Sequence, residues 1–255
     1  MQECRVDSGV LWKEYFCLLK LKKGVVMNLR EFDGRKISQL FAVDARLKED
    51  AANPHRVDGV YPMTHGETYD THIMKSVADY HLHSGVEVMY CDEPPTSSVR
   101  GGDFWRETLV SLYRNKGVLI DPIAVMGARY QDKGGEWRIN SFTEARPVIE
   151  KALDRGMTNI EIVALPFHIL RCFIGFATEC LALNVKLNVF ARVTRRISWI
   201  DAAIHSQGTQ TGTAVDFAQD EIDKILFYTN LAPPSEVLRY LDERDARIEV
   251  TLTSR

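Results

Sequence analysis

Short β-branched runs of strand length alternate along this chain with longer stretches in which apolar residues recur at helical spacing. The stretch Asn159 to Arg192 gives the clearest instance. Ile160 to Leu165 is an apolar run short enough for a buried strand, a pattern of helical length follows Pro166, and Val185 to Val189 is a second β-branched run. That order predicts a β-α-β unit. Pro166 suits a first helical turn, where its missing N–H costs nothing, so His168 and Arg171 fall three apart on one face of the opening turns. Free backbone N–H groups and the positive end of the helix dipole favour an anion there.

The same rhythm starts at Arg56. Val57 to Met63 reads as a buried strand, Thr64-His65-Gly66-Glu67 as a turn, Tyr69 to His83 as a helix and Val86 to Cys91 as the next strand. The polar segment Asp92 to Asp103, with two prolines and two glycines, predicts a long loop of the kind that often carries function. Phe104 to Lys116 predicts a helix stopped at Gly117, and Val118 to Met126 is a further apolar run broken by Pro122. Gln131 to Asn140 has the Gly134-Gly135 of a hairpin. Ser141, with Glu144 three residues on, has the form of a capping box for a helix running to Gly156.

Beyond Arg192 the expectations are a Ser/Thr/Gly/Gln-rich connection with a short helix near Trp199 to His205, then a helix over Phe217 to Asp223. A strand over Lys224 to Thr229, a helix over Pro234 to Arg244 and a last strand over Arg247 to Leu252 complete the chain. Residues 1–55 form a separate N-terminal segment with amphipathic helices over Val10 to Leu21 and Ile37 to Lys48, ahead of the main domain 56–255. Strands alternating with helices imply an α/β fold whose mainly parallel sheet is covered on both faces.

Composition narrows the function. A chain of 255 residues, 45% hydrophobic, can bury one large core, and a formal charge of -3 gives no basic field for nucleic-acid backbones. Arg192, Arg195 and Arg196 make up the one basic cluster, and read as a solvated loop. The five cysteines, Cys4, Cys17, Cys91, Cys172 and Cys180, lack metal-ligand or CxxC spacing and read as reduced thiols. No apolar stretch reads as a signal-peptide core or a membrane span, so the expectation is a cytoplasmic protein without membrane or nucleic-acid partners. The oligomeric state is not legible.

His81-Leu82-His83 is an HxH pair, but it falls at the end of a helix, where residues two apart do not share a face, so no metal is expected. GxSxG, GxxxxGK[ST], HExxH and GxGxxG are all absent. What remains is convergence, because ligands of open parallel sheets lie off the carboxyl ends of the strands. Thr64, His65, Gly66 and Glu67 should arrive there after the first strand, Asp92 and Glu93 after the second, Asn140, Ser141 and Glu144 at a helix start, and His168 and Arg171 after a later strand.

The segment IVALPFHILRCF resembles the signature of the YdcF/SanA/ElyC family, in which a strand and turn lead to a His and, three residues on, an Arg. INSFTEA resembles that family's Asn-Thr-x-Glu segment, VDGVYPMTHGE with VEVMYCDEPP its opening β-α-β, and LVSLYRNKGV its next helix. DEIDKILFYTNLA resembles its late Glu-x-x-Lys-x-x-x-Tyr segment. The likeness runs from about Val57 to Arg244, and Ala164, Cys172, Ser141 and Asp92-Glu93-Pro94-Pro95 depart from the family pattern beside the expected pocket. The resemblance implies a Rossmann-like domain of the soluble YdcF branch, which binds S-adenosylmethionine (AdoMet) and has no established reaction.

The expected function is therefore binding of an AdoMet-like or nucleotide-like small molecule at the carboxyl edge of the sheet. In this reading Arg171 meets a carboxylate or phosphate, His168 donates a hydrogen bond or moves a proton, and Glu144 or Asp92 receives ribose or amine groups. A hydrolase or phosphotransferase with His168 and Asp92 as acid and base is the alternative. A non-catalytic module whose N-terminal helices bind a partner is the third.

Overall fold

A computed structural model of the chain describes residues 34–52, 55–63, 67–93, 101–126, 130–131, 137–138, 141–194, 197–199, 202–205 and 210–253. The expected helix over Val10 to Leu21 lies outside these residues.

The elements follow in the order α1 (Gly34–Ala52), β1 (Gly59–Pro62), α2 (Glu67–His81), β2 (Glu87–Cys91), α3 (Gly102–Arg114) and β3 (Ile123–Val125). The hairpin β4 (Tyr130–Gln131) and β5 (Trp137–Arg138) leads to α4 (Ser141–Asp154), β6 (Asn159–Ala164), α5 (Ile169–Leu183) and β7 (Asn188–Val193). A second hairpin, β8 (Ala202–His205) and β9 (Gln210–Thr213), precedes α6 (Ala214–Phe227) and α7 (Pro234–Thr253).

The main sheet has five strands in the order β3-β2-β1-β6-β7, all paired in parallel. With helices flanking it, this is a Rossmann-like three-layer fold, and strand order reverses between β1 and β6. All four residues of β1 and five of the six in β6 are buried, as expected of central parallel strands covered on both sides. Pro62 fits a central strand because the register with β2 ends at Val60 opposite Val88, whereas the β6 ladder runs on through Met63 N–H to the Val163 carbonyl.

Backbone bonds carry the ladder past the strand ends. Asp92 N–H donates to the Val125 carbonyl at 2.8 Å and Thr194 N–H to the Ala164 carbonyl at 2.9 Å. Met63, Asp92, Leu165 and Thr194 therefore leave the sheet along one edge. The helices over Phe104 to Lys116 and Ser141 to Gly156 stop where expected, since Gly117 (φ 80°) and Gly156 (φ 71°) take the left-handed conformation that suits glycine after a helix.

Three expectations are corrected. Lys224 to Thr229 is not a strand: α6 starts at a capping box between Thr213 and Asp216 and runs to Phe227, and its apolar run is one helical face with Ile222 and Ile225 buried. Arg247 to Leu252 is not a last strand either. The alternation Ile248, Val250, Leu252 imitates a strand period, but α7 continues through it, with Val250 exposed and Arg247 Nε donating to Asn188 Oδ1 at 2.9 Å. The short helix near Trp199 to His205 is a strand, because Ala202–His205 pairs antiparallel with the threonine-alternating Gln210–Thr213. The hairpin expected within Gln131 to Asn140 forms, with Gln131 opposite Trp137.

α1 covers the expected helix Ile37 to Lys48 and packs on α7 and β7. Its end is held by Asp50, which accepts from both terminal nitrogens of Arg244 at 2.6 and 2.8 Å. The Arg244 guanidinium also lies 4.8 Å from the centre of the Phe190 ring.

Candidate functional site

α5 begins at Ile169, three residues later than a helix opening at Pro166 would. Pro166 and Phe167 form a turn, and His168 occupies the helix N-cap position, its N–H donating to the Leu165 carbonyl at 2.9 Å. Phe167 is buried between two rings, with centroids 5.9 Å from Tyr69 of α2 and 5.9 Å from Phe217 of α6. Phe217 and Glu221 are four apart on α6 and share a face, so the contact that locks the turn also brings Glu221 to His168.

His168 Nδ1 lies 2.6 Å from Glu221 Oε2, and its Nε2 lies 2.9 Å from Ser141 Oγ at the start of α4. Arg171 donates from Nε to Glu221 Oε2 at 2.5 Å and from Nη2 to Glu221 Oε1 at 3.1 Å. Lys224 Nζ adds a contact to Glu221 Oε1 at 3.2 Å. Three helices thus share one buried network.

The partners decide the tautomer. A 2.6 Å approach to a carboxylate oxygen requires a proton on His168 Nδ1, and the 3.3 Å contact from Arg171 Nη2 is secondary. With the proton on Nδ1, Nε2 faces the Ser141 hydroxyl at 2.9 Å and, in the neutral ring, is the acceptor of that contact. Burial works to lower the pKa of Arg171, but the charge and hydrogen bonds of Glu221 outweigh it and raise it. The anion that the helix start was expected to attract is therefore Glu221, a residue of the chain itself.

A second group lies alongside. Glu144, three residues after Ser141 on α4, is buried and accepts from the Tyr61 hydroxyl at 3.5 Å. Burial, then the charge of Asp70, with a smaller contribution from Glu93, pushes Glu144 up to about 8, against the opposing influence of Tyr61 and Arg171. Asp70 is itself buried and accepts from Trp105 Nε1 at 2.9 Å. The Cys91 and Cys172 thiols near these groups are pushed well above their ordinary range by burial, which makes them poor nucleophiles.

The loop after β2 is held at its neck, where Gly102 N–H donates to the Glu93 carbonyl at 2.7 Å. A Cβ on Gly102 would fall 2.5 Å from Asp92 Oδ1 and 2.8 Å from Asp92 Cα, so only glycine lets α3 start there. The half-buried Asp92 carboxylate consequently rests on the first turn of α3, with the positive end of that helix.

Of the expected site residues, Ser141, His168 and Arg171 meet directly, and Glu144, Glu93 and Asp92 line the same edge. Glu67 opens α2. Thr64, His65, Gly66 and Asn140 lie outside the described residues. The acidic partner of His168 is Glu221 and not Asp92. Glu221 was visible in the sequence as the glutamate of the Glu-x-x-Lys-x-x-x-Tyr segment and lay within the expected helix over Phe217 to Asp223, but no local pattern set that helix against His168.

His81 and His83 do not form a pair. His81 Nε2 lies 2.7 Å from Glu161 Oε2, which also accepts from Arg192 Nε at 2.8 Å, while His83 is exposed. Among the described residues no group of three His, Cys, Asp or Glu side chains is arranged to hold a metal ion, and no helix is long and apolar enough to cross a membrane.

Comparison of the chain with protein-family models, with curated proteins and with solved structures finds no match.

Proposed function

We propose that this is a YdcF-like protein that binds a small molecule at the carboxyl edge of the sheet, where strand order reverses. The observation that carries the reading is a convergence. Ser141, His168, Arg171 and Glu221 come from three separate segments that resemble family motifs, and all four join one buried hydrogen-bonded network. A pure scaffold has no need for such a network at the ligand-binding edge of this fold.

The charge balance bears on the ligand. Glu221 neutralises Arg171, whereas Asp70 and Glu93 add carboxyl groups to the same edge, and Glu144, its proton held up to about 8, adds a neutral acid. A ligand with a cationic part suits that edge better than a bare phosphate, which favours an AdoMet-like molecule, with its sulfonium and ammonium, over a nucleoside phosphate. Calorimetric titration with AdoMet and with common nucleotides tests the proposal. A saturable AdoMet signal weakened by Glu93→Gln supports it, and silence across the set overturns it.

A second reading is favoured by one distance, the 2.6 Å between His168 and Glu221. A histidine oriented by a carboxylate, with a hydroxyl on its other nitrogen, is equipped for general acid–base work in a hydrolase or phosphotransferase. Turnover of a chromogenic ester and phosphate panel, lost in His168→Ala, supports this reading, and inactivity across the panel contradicts it.

A further inference from the structure

We propose that Ser141 is a nucleophile, activated by His168 with Glu221 as its positioning residue, and that the site transfers acyl groups from small esters or thioesters through a Ser141 acyl-enzyme. This rests on the hydrolase reading and names its reaction class.

The connectivity has the order such chemistry requires. Ser141 Oγ is 2.9 Å from His168 Nε2, and Nδ1 of the same ring is 2.6 Å from Glu221 Oε2. Ser141 is the first residue of α4, and its hydroxyl lies against His168 Nε2, with the Cys172 thiol as a second neighbour. All three residues are buried, Ser141 the least so at 7% and Glu221 the most at 0%. Arg171 and Lys224 favour the ionised form of Glu221, which favours the proton on Nδ1 and the acceptor form of Nε2 beside the Ser141 hydroxyl. The rival nucleophile, Cys172, is held as a buried thiol.

In the first step Ser141 Oγ forms a bond to the acyl carbon while its proton moves to His168 Nε2. The bond to the leaving alkoxide or thiolate then breaks, and that group takes the proton from Nε2. In the second step water attacks the acyl carbon and gives its proton to Nε2. The Ser141 ester bond breaks, Oγ recovers the proton, and the carboxylic acid departs. Glu221 exchanges no proton and holds the ring in its tautomer.

The test is labelling of the whole chain with an alkyl fluorophosphonate, read by intact mass and peptide mapping, beside the burst and steady state with p-nitrophenyl acetate. One label per chain, on Ser141, is expected. Ser141→Ala, with its thermal melting checked, should lose label and burst together, and His168→Gln should label on the order of 100-fold more slowly. Glu221→Gln should label slowly with an altered pH profile, a change that mere loosening of the fold would not produce. Ester turnover retained in Ser141→Ala, without label in wild type, overturns the nucleophile but leaves His168 as a base acting on water. No label and no turnover in folded wild-type protein removes both readings.

Discussion

The carboxylate of Glu221 lies 2.6 Å from Nδ1 of His168, across 53 residues of sequence, and ties α6 to the start of α5. Both carboxylate oxygens are also engaged by Arg171, so the pair is a closed ionic unit in a region with almost no solvent exposure. Its desolvation is offset only while every member is present.

Removing that carboxylate should therefore be expensive. Glu221→Ala leaves the buried Arg171 guanidinium without its counter-ion and is expected to lower unfolding stability by about 3–5 kcal/mol in urea titrations. A loss well below that would show that the network opens to water. Glu221→Gln keeps the shape and should cost less than the alanine change.

Stability should fall as pH rises through neutrality because of Glu144. Unfolded, this carboxyl ionises in its ordinary range near 4.5, whereas in the fold burial and then the Asp70 charge hold the proton to about 8. The folded state binds more protons between those values, so the contribution is fully present below the ordinary range and lost as pH rises through about 8. Unfolding free energies from urea titrations between about pH 5 and about pH 9 should drop in wild type, by on the order of 2–4 kcal/mol relative to Glu144→Gln. Parallel curves for the two proteins would contradict the assignment.

Gly102→Ala places a methyl group against the Asp92 carboxylate and backbone. The neck of the loop must shift, at a cost of roughly 1–3 kcal/mol, and Asp92 must leave the first turn of α3. The same change should weaken binding of any ligand that uses Asp92. An unchanged melting temperature would show that the neck yields easily.

Arg244 and Asp50 join α7 to α1 through two charge-assisted hydrogen bonds in a buried setting. Arg244→Ala is expected to cost about 3–5 kcal/mol. The double variant with Asp50→Ala should be far from additive, which thermal or urea denaturation in a double-mutant cycle measures directly. Additive losses would mean that α1 docks by apolar contact alone.

The parallel sheet was legible because the central strands are buried and largely apolar, with Glu161 as the charged exception in β6, and the helices between them carry their own stop signals at Gly117 and Gly156. The C-terminal third was less so. A short apolar run such as Ile225 to Tyr228 has the same texture as a buried strand or one side of a helix, and the capping box that decides between them lies well upstream at Thr213 and Asp216. Arg247 to Leu252 shows the same ambiguity, resolved by contacts of Arg244 and Arg247 with distant residues.

In the site, His168, Arg171, Ser141 and Glu144 could be placed from helix starts alone, because helix starts of a parallel sheet collect at one edge. Which of them touch could not. The sequence shows a cationic helix start open to an anion, but a contact across 50 residues between Arg171 and Glu221 fills it, and no local pattern records that. The carboxyl groups of Asp70 and Glu144 likewise become neighbours only when α2 and α4 pack on the same edge.

Calorimetric titration of the intact chain with AdoMet, repeated on Glu93→Gln and Asp92→Asn, tests the proposed ligand site most directly. Saturable binding to wild type, weakened about tenfold or more in either variant, is the predicted result. Absence of binding to AdoMet and to every common nucleotide, or equal affinity in all three proteins, would contradict a small-molecule site at this edge.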